Sequence, residues 1–347
     1  MKGTNFAVTL ARATVGFSSL LFISGASTLC AQSTTPVNTV IDVIGGFSDP
    51  LGVVVSSNSK YVYVVDPRRD TLSVIDAAIN QVIDNAIYSG EAPIQLALSP
   101  KRKTLYISNE IITGTLTPIH LADLTPGPTI TGIGANPLGL AITPNGKEIY
   151  LAAWSSGKVY VFDVATGKIL APISVGSGPA DVVFTPNGRT AYVTNEDDSS
   201  VSVIDVANGV VEGTPIPVGN LPVGINITPD GKTVYTINAT SVSAIDTNSN
   251  TVISTIDLST LTTGTGAFAA VTPEGDYLYV AVTDKLDPSG APGNLVLIST
   301  ATNEVVGTPV VVGINPFAVA IAPNGKHAYI TSTNFGVGEV TVIEIAR

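Results

Sequence analysis

The chain has 347 residues, of which 44% are hydrophobic and 12% charged, and its formal net charge is −11. That composition can bury a large core, and the acidic balance argues against binding the phosphate backbone of nucleic acid or anionic lipid heads. Beyond the N-terminus the apolar residues come in groups of four to six broken by Gly, Pro, Asn and Asp, so no stretch reaches the length needed to span a bilayer.

The first segment differs from the rest. Lys2 and Arg12 flank a polar stretch, Ala13 to Ala26 is apolar or small, and no acid precedes Asp42. This pattern predicts a secretory signal peptide over residues 1–31, with cleavage after Ala26 or Ala31, and hence a secreted or periplasmic protein, with the cell surface as a further destination. Cys30 is the only cysteine, and Leu29 before it suits lipidation poorly, so no intrachain disulfide is available. Removing Lys2 and Arg12 with the signal takes the net charge to −13. Residues 32–37 read as a short linker and 38–347 as the folded domain, expected to be a monomer with no transmembrane segment.

From Asn38 onward the chain repeats. Six segments place a Tyr six residues after a Pro: Pro100, Pro144, Pro186, Pro229, Pro273 and Pro323 precede Tyr106, Tyr150, Tyr192, Tyr235, Tyr279 and Tyr329, and Ser57 to Tyr63 is a seventh copy without the Pro. Each copy carries four strand-like runs, so seven copies predict an all-β, seven-bladed propeller with four-stranded blades. In the fourth copy the runs are Val182 to Phe184, Ala191 to Asn195, Val201 to Val206 and Val210 to Val218. Thr185-Pro186-Asn187-Gly188 should turn tightly between the first two, with Gly188 at positive φ. Ser59 and Arg102 stand where other copies have Gly, and predict looser hairpins or another turn type there.

A second anchor lies seven residues earlier, at Pro50, Pro93, Pro137, Pro179, Pro222 and Pro316, with Gly266 in the sixth copy. It marks the step from one blade's outer strand to the next blade's inner strand, where a missing N–H costs nothing. The last copy stops one strand short at Arg347, while Asn38-Thr39-Val40-Ile41 matches the outer-strand start Asn250-Thr251-Val252-Ile253. The N-terminal strand is therefore expected to complete the last blade, with Thr39 to Ile44 antiparallel to Val340 to Ile345.

Ala191-Tyr192-Val193-Thr194-Asn195 followed by Val201-Ser202-Val203-Ile204-Asp205 resembles the repeat of YVTN-type β-propeller proteins. The resemblance covers essentially everything after Asn38. It implies the propeller fold, and for function it implies little, because similar repeats occur in exported proteins of many roles, surface-layer proteins among them.

The chemistry-bearing residues are sparse. His120 falls in a column with Asp76, Asp163, Asp205 and Asp246, where a side chain caps a turn, and His327 in one with Thr104, Glu148, Thr190 and Thr233 at a strand start; both read as structural. With no free Cys–His or Ser–His set and no phosphate-cradling loop, no catalytic residue is assigned. The loops around the channel mouth hold the departures from the repeat. Gln95 and Asp181 stand two residues after the second anchor, where other copies have Gly52, Gly139, Gly224, Phe268 and Ala318; small residues there would line a narrow channel. Trp154, the only tryptophan, is assigned to the place of the motif asparagines Asn109 and Asn195. Glu110, Glu196, Arg68 and Arg69 complete the candidate ligand-binding set, with Asp66, Asp70, Glu91, Asp197, Asp198, Asp284, Lys285, Asp287 and Asn315 nearby.

No cofactor is expected, although oxygen ligands in this number would suit Ca²⁺. The sequence points first to a non-enzymatic exported propeller that binds a protein, glycan or small ligand on its channel-mouth face. The alternative is a metal-dependent lactonase-like hydrolase using carboxylate and amide ligands at the mouth.

Overall fold

The computed structural model describes residues 35–101, 103–261, 265–283, 290–334 and 336–346. Residues 1–34, which contain the signal expectation, Cys30 and the first half of the linker, lie outside it, as do Arg102, Asp284, Lys285 and Asp287.

Seven antiparallel sheets form the seven blades of a β-propeller. Blade 4 shows the pattern at its most regular: Pro179–Phe184, Thr190–Asn195, Ser200–Asp205 and Val210–Pro217 pair in sequence order. Blades 2, 3 and 6 split the outer strand into two short pieces. The interruptions fall at Pro126-Gly127-Pro128, Pro172 and Gly307-Thr308-Pro309. Proline has no N–H for the ladder, and only an edge strand tolerates that. Among the described residues no helix is long and apolar enough to cross a membrane.

The inner hairpin of blade 4 turns as its sequence requires. Gly188 has φ +67, its N–H donates to Thr185 O at 2.8 Å, and Asn187 Oδ1 accepts the Arg189 N–H at 2.9 Å. The hairpin of blade 1 departs from the expectation of a looser turn. Ser59 itself adopts φ +56 and donates to Ser56 O at the same 2.8 Å. Asn58 Oδ1 accepts the Lys60 N–H, so the backbone bond and the asparagine bracket hold a serine in a conformation that usually favours glycine.

Each letter of the Tyr192-Val193-Thr194-Asn195 motif does a separate job. Tyr192 is fully buried and packs against Ile225 and Val234 of blade 5, and its hydroxyl donates to Asn250 Oδ1 at 2.7 Å. Burial pushes that hydroxyl up to about 12, so it remains a donor at any physiological pH. Val193 faces the other way, into the cluster with Tyr150 and Val159 of blade 3. Thr194 Oγ1 donates to Val223 O of blade 5 at 3.0 Å. Asn195 Nδ2 donates to Ser200 and Ser202 Oγ, both at 3.0 Å, while its Oδ1 accepts the Gly176 N–H. The core is thus a series of apolar clusters, most of them joining one blade's second strand to the next blade.

Ring closure follows the expected register. Val37–Phe47 pairs antiparallel with Val337–Ala346 as the outer strand of blade 7, with Thr39 opposite Glu344 and Ile44 opposite Val340. On the channel side Thr331 Oγ1 donates to Leu51 O of blade 1 at 2.6 Å, the same bridge that Thr194 makes between blades 4 and 5. Closing the ring hides two sheet edges that would otherwise be available for pairing.

Candidate functional site

The inner strands leave a central cavity of about 200 Å³ lined by Val53, Gln95, Leu140, Asp181, Val182, Ile225, Asn226, Phe268, Ala269, Ala318 and Val319. Gln95 and Asp181 therefore meet in one ring, as their shared column in the repeat required. A third polar side chain, Asn226, joins them and donates to Ala269 O at 2.7 Å. It was legible but missed: its column otherwise holds Val54, Ala97, Ala141, Val183, Ala270 and Ala320.

Asp181 is the one charged group in the lining. One of its carboxylate oxygens accepts the Val182 N–H at 2.9 Å and the other the Ile225 N–H of blade 5 at 3.3 Å. Burial outweighs these two bonds, raising the carboxyl to about 7. Its side chain keeps a partial opening toward the channel. The small residues of the column have a different purpose from lining a narrow channel. A Cβ on Gly139 would collide with the Asp181 carboxylate, and one on Gly52 would come 2.7 Å from Ile94 O. These glycines let the next blade's inner strand lie close.

Trp154 needs a correction. Pro137 pairs with Ala153 as Pro93 pairs with Asn109 and Pro179 with Asn195, so Ala153 occupies the asparagine column and Trp154 aligns with Glu110 and Glu196. The one-residue shift carries the indole out of the sheet into a short 3₁₀ turn, Trp154–Ser156. There Trp154 Nε1 donates to Glu196 Oε2 of blade 4 at 2.9 Å. Glu110 lies one blade earlier on the same rim, exposed overall, with desolvation on its packed side raising its carboxyl.

Arg68 and Arg69 sit apart from the channel, against the segment leading out of the closing strand. Arg69 donates from Nε to Ser48 Oγ at 2.8 Å and from a terminal nitrogen to Gly46 O at 2.5 Å, and Arg68 pairs with Asp49 at 3.2 Å. Between them Asp66, 1% exposed, takes the motif-asparagine place and accepts the N–H groups of Ser48 and Asp49. Three more of the mouth acids are similarly engaged. Asp70 accepts from Ala92 N–H, Asp198 from Ser177 N–H and Asp197 from Ser177 Oγ. Among the described residues no three acids or histidines converge on one point. Ca²⁺ would have to displace these bonds to gather ligands there.

Both histidines fall where the repeat put them: His120 opposite Thr104, as Asp205 is opposite Thr190, and His327 opposite Glu344 beside Tyr329.

A family model described as a YNCE-like beta-propeller matches residues 25–347. No curated protein matches in sequence. Among solved structures, the chain is similar to one from "Kuenenia stuttgartiensis Hydrazine Synthase", with a TM-score of 0.60 and 25% identity over 69% of this chain and 73% of that one. Since 1776 solved chains match, likeness of this kind identifies the architecture and singles out no activity.

Proposed function

Given that this chain belongs to the YNCE-like β-propeller family, we propose that it is an exported, non-enzymatic binding or scaffold propeller that engages a protein, glycan or small ligand at its channel mouth. The observation that carries this is the contrast within one ring: Gln95, Asp181 and Asn226 face the cavity from an otherwise apolar wall. A few placed polar groups on an apolar, rigid concavity are what a ligand site needs for orientation. Trp154 and Glu196, tied together on the rim beside it, offer an aromatic face held in position.

Export is supported by the charged start, the apolar stretch and the lack of acids before Asp42. The lactonase-like alternative asks for several oxygen ligands converging on one ion plus a base. Asp181, near neutrality, would supply the base; of the acids at the rim, Asp70 and Asp198 are already bonded to backbone and Glu196 to the Trp154 indole.

Metal analysis of the purified protein, run beside a lactone hydrolysis assay with added Ca²⁺, tests the choice. The binding reading expects no stoichiometric metal and no turnover. Stoichiometric metal together with turnover that Asp181→Ala abolishes would overturn it.

A further inference from the structure

Blade 7 departs from the other blades in a way that creates a second cavity. In blades 2, 4 and 5 a buried asparagine at the end of the second strand donates both Nδ2 hydrogens to two hydroxyls on the third strand: Asn109 to Thr115 and Thr117, Asn195 to Ser200 and Ser202, Asn238 to Ser241 and Ser243, all at 3.0 to 3.2 Å. In blades 3 and 6 the whole set changes together. Ala153 and Val282 replace the asparagine, and Tyr160 and Val296 replace the deeper hydroxyl.

Blade 1 has the Asp66 carboxylate in the asparagine place, where it accepts the Ser48 and Asp49 N–H groups, and blade 7 follows none of these patterns. Ser332 takes the asparagine place opposite Glu339, while Thr341, two residues further along the same face, keeps the deeper hydroxyl. The nitrogen donor is gone, a carboxylate takes the place of one acceptor hydroxyl, and the deeper hydroxyl remains. Ser332 and Thr341 are each 1% exposed, and neither hydroxyl has a hydrogen-bond partner. Leaving a buried hydroxyl unpaired is costly, and of the two it is Ser332 that lines the cavity.

The shorter side chain opens onto a cavity of about 270 Å³ between blades 6 and 7, with Ser332 and Glu339 on one side and Pro292, Val312, Ile314 and Val337 among its walls. Gly313 packs directly on Ser332 and the Glu339 carboxylate, where a Cβ would clash with both. Glu339 is part-buried, forms no ion pair among the described residues, and is the only charged residue of the lining.

We propose that this cavity binds a primary ammonium group on an aliphatic stem, either free in solution or at the end of a lysine side chain. The ammonium replaces the missing amide donor at Ser332 and neutralises Glu339, while the stem lies against the apolar walls. Three N–H donors and a positive charge satisfy a carboxylate and a hydroxyl that no group among the described residues satisfies. The net charge of −11 concentrates such cations near the surface. The site is separate from the central cavity and does not depend on the binding role assigned to that cavity.

The test is a ligand-observed NMR titration of the purified protein with n-butylammonium chloride, the tripeptide Gly-Lys-Gly, and n-butanol as the uncharged counterpart. Saturable binding of n-butylammonium but not n-butanol is expected, weakened about tenfold or more by Glu339→Gln and by Ser332→Asn. Ser332→Asn restores the amide of the other blades, so its melting midpoint should equal or exceed that of the parent. Tighter binding of Gly-Lys-Gly than of n-butylammonium identifies a lysine side chain as the source; binding of the small amine alone identifies a free amine. Equal binding of n-butanol, absence of saturation by either amine, or amine binding unchanged in Glu339→Gln would overturn the proposal. Glu339→Gln is nearly isosteric on a part-exposed hairpin, so it decides the matter even if Ser332→Asn folds poorly.

Discussion

The Tyr279 hydroxyl of blade 6 donates to Asn38 Oδ1 at 2.8 Å, and Asn38 belongs to the opposite end of the chain. Tyr192 makes the same bond to Asn250 and Tyr235 to Asn303, each reaching from one blade to the outer turn of the next. The N-terminal strand is thus held as any other outer strand is, by a side-chain bond as well as by its ladder. Asn38→Ala should destabilise the protein by about 1 kcal/mol, the net worth of one such bond, and by about as much as Asn250→Ala. Deleting residues 38–46 should lower the unfolding midpoint far more and promote aggregation. Chemical denaturation of the three proteins checks this; an unchanged midpoint in the deletion would show that the ring closes by other contacts.

The two arginines of the closing region should separate cleanly. Arg69 holds Ser48 and Gly46 through two exposed charge-assisted bonds and lies 3.8 Å from the buried Asp66 carboxylate, so Arg69→Ala should cost about 1–2 kcal/mol, since it removes both bonds and the cation nearest Asp66. Arg68 makes an exposed pair with Asp49, worth at most about 1 kcal/mol. Equal losses in urea unfolding would contradict this division of roles between the two side chains.

Asp181 predicts a pH dependence of definite sign. Its carboxyl moves from 3.8 in the unfolded chain to about 7 in the folded one. Between those values the folded state keeps a proton that the unfolded chain has lost, so stability falls as pH rises from about 4 and levels off above about 7. Asp181→Asn removes the charge and should gain on the parent protein across that window, by on the order of 1–2 kcal/mol once the solvent reaching the channel is allowed for. Melting midpoints at a series of pH values decide it. Parallel curves for the two proteins would mean that Asp181 ionises normally.

Trp154 is the only tryptophan, so fluorescence excited selectively at tryptophan, beyond the tyrosine absorption, reports on the rim alone. Glu196→Ala removes the acceptor of its Nε1 and should change the emission maximum while leaving the circular dichroism spectrum intact. If the channel mouth is the binding face, Trp154→Ala, Gln95→Ala and Asp181→Ala weaken ligand binding, whereas Asn187→Ala and Asp230→Ala on the hairpin face alter stability only. Asp230 also carries a pH signature. Its bonds to Thr228 and Lys232 lower its carboxyl to about 2, so its contribution is present above the unfolded value and lost as pH falls toward 2. A ligand crosslinked to the hairpin face would reverse this assignment.

His120→Ala and His327→Ala should each leave any measured binding intact, because both positions are turn and strand-start columns of the repeat. A tenfold loss of affinity at preserved stability, about 1.4 kcal/mol, would place a histidine in the site.

The architecture was legible because its determinants recur. The Pro-to-Tyr spacing, the turn glycines and the motif asparagine each appear often enough for their columns to be read, and a column that changes, as at Asp181, stands out against the others. Asn226 could have been found by the same comparison carried two residues further along the strand. The one-residue misplacement of Trp154 arose where blade 3 lacks the asparagine that fixes the alignment, so the indole was set against the wrong neighbours. Ser59 shows a different limit. Its positive φ is imposed by the Ser56 carbonyl and the Asn58 side chain, and residue identity alone favours another turn. Arg68 and Arg69 looked like ligand contacts, yet the repeat sets the loop before each inner strand beside the loop after the second strand, as Ser177 lies beside Asp197 and Asp198, and Ser48 and Asp49 meet the two arginines in the same way.

The pairing of Val37 with Ala346 fixes the order in which the molecule can be completed. The N-terminal strand of the ring has no partner until the last strand has been synthesised, and through that interval Val40, Ile41 and Val43, still partly exposed in the finished ring, belong to an uncovered edge. Blades 1 to 6 can each assemble from neighbouring sequence, but blade 7 waits for contact between strands far apart in the chain, which carries the largest loop-closure entropy in the fold. Ring closure is therefore the step that closes the longest loop, and it cannot precede the arrival of the last strand.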